Sequence, residues 1–306
     1  MALSAPGGLI AGFRHSAQRR LSAVRVLVAL TDQGVTCAWQ SKGQWVWVDA
    51  EWPPGACIQG RPQQSEAMAD LIADLLLDLG LIGARVELLL PLALCQWRVI
   101  DGLAMASELS SDHALVRALS WSLDPEDCYI SNVDCFGSQL LVGLPRSSLQ
   151  LWIDVFEQAD LALDRVDWIL SAAWRGVLKT ASPQNINLAW IIGDRQQRRL
   201  VLLREGVPEV DQFVGESGPQ WLMQTCDLVQ AWHQLNPGTL PLKWLLTAPP
   251  SAGLPLTDLA QQGMDVTSTE PSVLMRYDAL GVSSEPVLLD PLISLGFEGL
   301  GLARRS

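Results

Sequence analysis

The sequence predicts an α/β protein built as two halves, with a small α+β unit inserted into the first. Three observations predict it. A strand–strand–strand–helix–strand pattern early in the chain returns in its last third. The 306 residues are about twice the length of one common domain. With 49% apolar and 18% charged residues, the chain has ample apolar surface to offset its ordering entropy, which excludes an intrinsically disordered protein.

Residues 1–23 form a Gly/Ser/Arg-rich leader, expected to be flexible. It carries Arg14, Arg19 and Arg20 and no acid, but it lacks the apolar run of a secretory signal, so the chain is expected in the cytoplasm. Stretches 24–30, 35–40 and 44–51 then read as a three-stranded meander, punctuated by Asp32-Gln33-Gly34 and Ser41-Lys42-Gly43. Trp52-Pro53-Pro54-Gly55 ends it. From 63 to 80 the apolar positions Met68, Leu71, Ile72, Leu75 and Leu79 recur at helical spacing, with Gly80 as the cap. The run 85–91 is nearly continuous in apolar residues, as in a strand buried on both faces.

A strand at 95–100, a helix over 107–122, strands 127–135 and 138–145 joined at Phe136-Gly137, and a helix over 146–160 make a compact middle unit. On that second helix Leu149, Trp152, Ile153, Phe156 and Ala159 form one stripe, the spacing of a helix laid on a sheet. A short strand at 163–166 and a helix over 167–179 follow, and Ser182-Pro183-Gln184-Asn185 marks a boundary. The last third holds strands 187–192, 199–204 and 207–214, a helix over 218–235 with Leu222, Cys226, Val229 and Trp232 in register, and a buried strand at 241–246. A short helix at 254–261, an edge strand at 265–267 and a terminal helix at 292–303 complete it. The organisation is therefore a leader 1–23, a first half 24–180 containing the inserted unit at about 103–166, and a second half 181–306.

Composition and motifs exclude several functions. The net charge of −12 repels phosphates, so no nucleic-acid partner is expected. Asp74, Asp78, Arg85 and Glu87 interrupt the longest apolar stretch, at a cost of about 2.5–3.5 kcal/mol per charge at bilayer depth, so no direct membrane span is expected. The six cysteines contain no CxxC pair and read as reduced, structural thiols. His15, His113 and His233 are far apart and lack ligand-spaced neighbours, so no metal site is expected. There is no GxxxxGK[ST] loop, HExxH pair, GxSxG elbow or dinucleotide fingerprint, and Gly296, Gly299 and Gly301 read as helix-packing glycines. Asp124 with Asp127 is turn chemistry ahead of a strand. Most of the 13 tryptophans fall on inward positions and read as core.

Two segments carry a resemblance. Between 107 and 177 lie a helix, the phrase Leu123-Asp124-Pro125-Glu126-Asp127, a strand hairpin, and a helix ending Glu157-Gln158-Ala159-Asp160-Leu161. Near the end, Asp290-Pro291 precedes Gly299-Leu300-Gly301-Leu302-Ala303-Arg304. Over roughly 24–304 the chain resembles the PilM family, actin-like cytoplasmic proteins of type IV pilus assembly, and more distantly the cytoplasmic region of the type II secretion L protein. The resemblance implies an actin-like (ribonuclease H-like) two-lobed α/β fold, with the inserted small α+β subdomain projecting from the first lobe.

Where nucleotide chemistry is concerned, the chain departs from that pattern. The superfamily's first hairpin reads approximately G-[IL]-D-I-G-S-S-S-V-K, and the matching stretch Val28–Cys37 puts Leu30 where the acid belongs and Asp32 where the glycine belongs, with Gly34 following. A carboxylate facing phosphates repels them, and a loop without the glycine cannot approach closely. The second hairpin, D-I-G-x-x-x-T, becomes Trp190-Ile191-Ile192-Gly193-Asp194-Arg195-Gln196, keeping only Gly193, and puts Asp194 after it. In the adenine-side loop, usually L-S-G-G-x-A, Pro249 and Pro250 fix φ and remove backbone donors. No catalytic residue and no cofactor are therefore expected.

The resemblance then implies a scaffold, an actin-like pseudo-ATPase of a pilus or competence machine. It would dock the cytoplasmic tail of a single-span membrane protein resembling PilN, and so reach the inner membrane through that partner. An extended tail would pair with a strand edge of the inserted unit, around 128–135 and 139–144. The alternative is a divergent ATPase or kinase of the actin superfamily with ATP and magnesium as cofactors, in which Asp194 would hold the metal. No oligomeric state follows from these residues.

Overall fold

The computed structural model describes residues 24–42, 44–101, 125–135, 137–178, 186–193, 198–215, 220–237 and 242–247. The expectations for the leader, the helix at 107–122, the boundary at 182–185 and everything beyond 247 lie outside the described residues.

Strands β1 (Arg25–Leu30), β2 (Gly34–Ser41) and β3 (Gln44–Glu51) form the meander, with Val28 opposite Cys37 and Cys37 opposite Val48 in antiparallel register. A two-residue hairpin that the sequence reading did not anticipate follows, β4 (Cys57–Ile58) with β5 (Arg61–Pro62). Its turn residues Gln59 and Gly60 have φ of +50° and +75°, the type I′ geometry that suits a tight hairpin. Helix α1 (Ser65–Asp78) buries Met68, Ala69, Ile72 and Leu76, with Leu71 and Leu75 at its margin. It stops where expected, because Gly80 takes a φ of +70° that a side chain would resist. Strand β6 (Arg85–Leu90) lies parallel to β1, and both are buried from their second residue onward.

Strands β7 (Gln96–Asp101), β8 (Cys128–Cys135) and β9 (Ser138–Pro145) form a separate antiparallel sheet in the order β7-β9-β8. Helix α2 (Arg146–Gln158) leaves β9 without a loop, and β10 (Ala162–Trp168) then pairs in parallel with β6. The main sheet thus runs β10-β6-β1-β2-β3. This moves the edges of the inserted unit. β10, which the bounds of about 103–166 include, is a strand of the five-stranded sheet, and β7, grouped with the middle unit by its pattern but left out by those bounds, belongs to the three-stranded one. A strand's own periodicity says which face is buried but not which partner it will find, so an excursion and its return look alike in sequence.

After helix α3 (Ile169–Leu178) the pattern repeats. Strands β11 (Leu188–Gly193), β12 (Arg198–Arg204), β13 (Val207–Phe213) and β14 (Lys243–Thr247) form a second sheet in the order β13-β12-β11-β14. Two antiparallel pairings and one parallel pairing reproduce β3-β2-β1-β6, so the duplication seen in the sequence is one of topology. Trp190, Ile192, Val201 and Leu203 on one face of this sheet join the core of the first half. Ala189, Ile191, Leu200 and Leu202 on the other form a second core with helix α4 (Gln220–Leu235).

Two helices sit rotated from expectation. On α4 Trp221 and Thr225 are buried, while Leu222 and Cys226 are only half-buried. On α2 Ser148 and Val155 are buried while Ile153 is partly exposed. On α4 the Trp221 indole removes more apolar area than a leucine or a thiol, so it decides the inward face. Thr225 tolerates the interior because its hydroxyl donates to the Trp221 carbonyl at 2.8 Å.

Five of the six cysteines are buried, Cys226 being the exception. Burial, aided by the Asp49 charge, pushes the Cys37 thiol up to about 12. Since the thiolate is the reactive form, iodoacetamide applied to the native protein is expected to label Cys226 first and Cys37 only after unfolding. Peptide mapping that found Cys37 modified as fast as Cys226 would contradict this packing.

Candidate functional site

The first hairpin is where the sequence resemblance puts the expected phosphate contacts, and its turn is held by hydrogen bonds within the chain. Thr31 opens the β1–β2 turn. Its hydroxyl oxygen accepts from the backbone N–H groups of Gln33 (3.2 Å) and Gly34 (3.1 Å), and the hydroxyl donates to the Gly34 carbonyl at 3.1 Å. The Trp52 indole N–H donates to the Thr31 carbonyl at 2.9 Å, and the Trp52 backbone N–H donates to the Gln33 carbonyl at 2.9 Å. Trp52, the residue after β3, therefore clamps the turn from outside.

Asp32 reaches across to the β4–β5 hairpin. Its carboxylate accepts from the backbone N–H groups of Gln59 at 3.0 Å and Gly60 at 2.6 Å, and from the Cys57 thiol at 3.5 Å. Burial and the Asp32 charge both hold that thiol protonated. On its far side the Gly60 carbonyl accepts the Trp152 indole N–H at 2.8 Å, and the Trp52 and Trp152 rings lie 6.3 Å apart. A Cβ on Gly60 would come within 2.9 Å of Leu94 and 3.0 Å of Pro91. Gly60 is thus the point where the β1–β2 turn, helix α2 and the connection from β6 to β7 converge.

Leu30, in the place of the family's acid, is fully buried at the end of β1 and faces the core. Gly34 is required by space rather than by dihedral angle, since a Cβ there would sit 2.2 Å from the Ala50 carbonyl oxygen. Gly193 ends β11 opposite Arg198. Asp194 and Pro249 lie outside the described residues. The structure therefore gathers Leu30, Asp32 and Gly34 in one turn.

Sequence reasoning missed the contacts that join the halves. Arg199 on β12 forms a two-pronged ion pair with Asp211, donates to the Leu92 carbonyl at 3.4 Å, and lies 5.4 Å from the Trp168 ring and 5.5 Å from that of Phe213. Leu92 follows the carboxyl end of β6 and Trp168 ends β10, so the guanidinium ties the second sheet to the first. Trp97 on β7 meets Trp168 edge-on at 5.3 Å and Trp174 at 6.1 Å, and the Trp174 indole donates to the Gly206 carbonyl at 2.9 Å. Three tryptophans thereby connect the inserted sheet, α3 and the β12–β13 turn. The inward placement of these tryptophans was legible; their meeting was not. Close by, Asp167 accepts from Arg175 at 2.6 Å, which closes another charge within the chain.

Among the described residues no group of three or more His, Cys, Asp or Glu side chains is arranged to hold a metal ion, and no helix is long and apolar enough to cross a membrane.

No protein-family model and no curated protein matches the chain. Among solved structures, one determined as the PilM–PilN type IV pilus biogenesis complex matches with a TM-score of 0.58 at 14% identity, covering 92% of this chain and 99% of that one. The cytoplasmic domain of EpsL, an inner-membrane component of the type II secretion system of Vibrio cholerae, matches with a TM-score of 0.46 at 16% identity, covering 81% and 96%. A Bacteroides thetaiotaomicron protein described as having an actin-like ATPase fold matches with a TM-score of 0.47 at 9% identity, covering 79% and 88%. The chain has an actin-like α/β fold, similar to that of the PilM–PilN structure over nearly its whole length.

Proposed function

We propose that this actin-like chain is a non-catalytic scaffold of a type IV pilus or competence assembly machine. It docks the cytoplasmic tail of a PilN-like single-span protein and reaches the inner membrane through it. The reading is carried by the similarity to the PilM–PilN structure across 92% of the chain. The turn chemistry supports it, because the Asp32 carboxylate and the Gln59 and Gly60 N–H groups are spent on one another. The inserted sheet is the docking element. Its outer strand β8 exposes Tyr129 and Val133, and with a net charge of −12 the chain would steer a tail bearing Lys or Arg toward it.

Two measurements test the reading. Pull-down from inner membranes, followed by anisotropy titration of the captured protein's labelled cytoplasmic tail, is expected to give salt-sensitive binding that Tyr129→Glu with Val133→Glu abolishes. Equal binding by wild type and variant, or recovery of no single-span protein, defeats the docking site. Calorimetry with Mg-ATP is expected to show nothing tighter than about 1 mM, roughly −4 kcal/mol. A micromolar constant would favour the ATPase alternative instead.

A further inference from the structure

We propose that the Gln59–Gly60 turn is a small-oxyanion site whose resident ligand is the chain's own Asp32 carboxylate. The inference deepens the scaffold reading, since it ties the Asp32 carboxylate of the first hairpin to a neighbouring turn of the same chain. It rests on the convergence of three features. First, the two turn residues both have positive φ, which presents their consecutive N–H groups to one carboxylate, at 3.0 and 2.6 Å, with each oxygen taking a different amide. Second, the turn is backed on its far side: the Gly60 carbonyl accepts from the Trp152 indole, and a Cβ on Gly60 would meet the Leu94 and Pro91 side chains, so there is little room for the donors to shift. Third, Asp32 is itself aimed by a turn locked through Thr31 and Trp52, so neither partner is free to drift.

A carboxylate bound by two backbone N–H groups is a charge-assisted pair, stronger than neutral hydrogen bonds. Its ligand chemistry is that of any small planar oxyanion. Acetate reproduces the Asp32 side chain beyond its α-carbon, whereas chloride offers no paired oxygens.

Amide hydrogen exchange on the full chain reads the two donors separately. In Asp32→Asn only one acceptor oxygen remains, so one of the Gln59 and Gly60 amides is expected to keep its protection while the other exchanges about 10- to 100-fold faster. In Asp32→Ala both are expected to accelerate by that factor, and sodium acetate, against sodium chloride at equal ionic strength, is expected to restore protection at both. If Asp32→Ala does not fold, Asp32→Asn alone decides. Wild-type protection of both amides in Asp32→Asn, or no recovery with acetate in a folded Asp32→Ala, overturns the proposal. These outcomes are independent of tail binding and of Mg-ATP calorimetry on the wild type, so the scaffold reading can fail while the oxyanion site stands, and the reverse.

Discussion

Trp152→Ala is expected to lower unfolding stability by about 3–5 kcal/mol, the range for truncating a buried tryptophan. The side chain is completely buried on α2, its ring lies beside Trp52, and its indole N–H supplies the hydrogen bond to the Gly60 carbonyl. Removing it leaves a large cavity and an unsatisfied carbonyl at the point where three elements meet. Trp152→Phe separates the two contributions, because it keeps most of the ring and loses only the donor. It is expected to cost about 1–3 kcal/mol. Urea unfolding followed by far-ultraviolet circular dichroism checks both. A loss below about 1 kcal/mol for Trp152→Ala would mean the site can collapse, and that α2 is not anchored through Gly60.

Gly34→Ala is expected to be comparably damaging for a different reason. The residue is not in the left-handed region, so the effect is purely one of room. An added methyl would stand 2.2 Å from the Ala50 carbonyl oxygen and 3.2 Å from the Glu51 α-carbon, both backbone atoms of the neighbouring strand that cannot rotate away. Relief requires moving β2 from β3 at the Gly34–Glu51 pair, which also pulls the Gly34 carbonyl from the Thr31 hydroxyl. The expected cost reaches or exceeds the upper end of the overpacking range, about 3 kcal/mol. Gly80→Ala is the matched control. Gly80 has a φ of +70° with open space around it, so the same change should cost only the left-handed penalty of about 1–2 kcal/mol. Thermal melts placing Gly34→Ala at or above the stability of Gly80→Ala would refute the close approach.

These two positions also mark how a residue's identity and its role come apart. Gly34 and Asp32 both stood out in the sequence because they lie in the hairpin where the superfamily handles phosphate. In the sequence Asp32 is read as an obstacle to phosphate; that it is the ligand of a turn 27 and 28 residues further on was not legible. Gly34 was legible as a loop glycine, but not as the seat of the Ala50 carbonyl. Both roles depend on contacts between segments distant in sequence, for which local composition carries no signal.

By itself the sequence determined the strands other than the β4–β5 hairpin, the described helices to within a few residues, and the repetition of one topology in both halves. Each of these rests on short-range periodicity, on turn residues, and on the ratio of apolar to charged side chains. Tertiary structure alone decided three things. It placed β10 in the main sheet, since strand partners are chosen by the closure of the whole sheet. It turned α4 so that Trp221 and Thr225 rather than Leu222 and Cys226 face inward, because the larger buried area wins. It also joined Arg199 to Leu92 and Trp168, fastening the two sheets through a contact that exists only once both have formed.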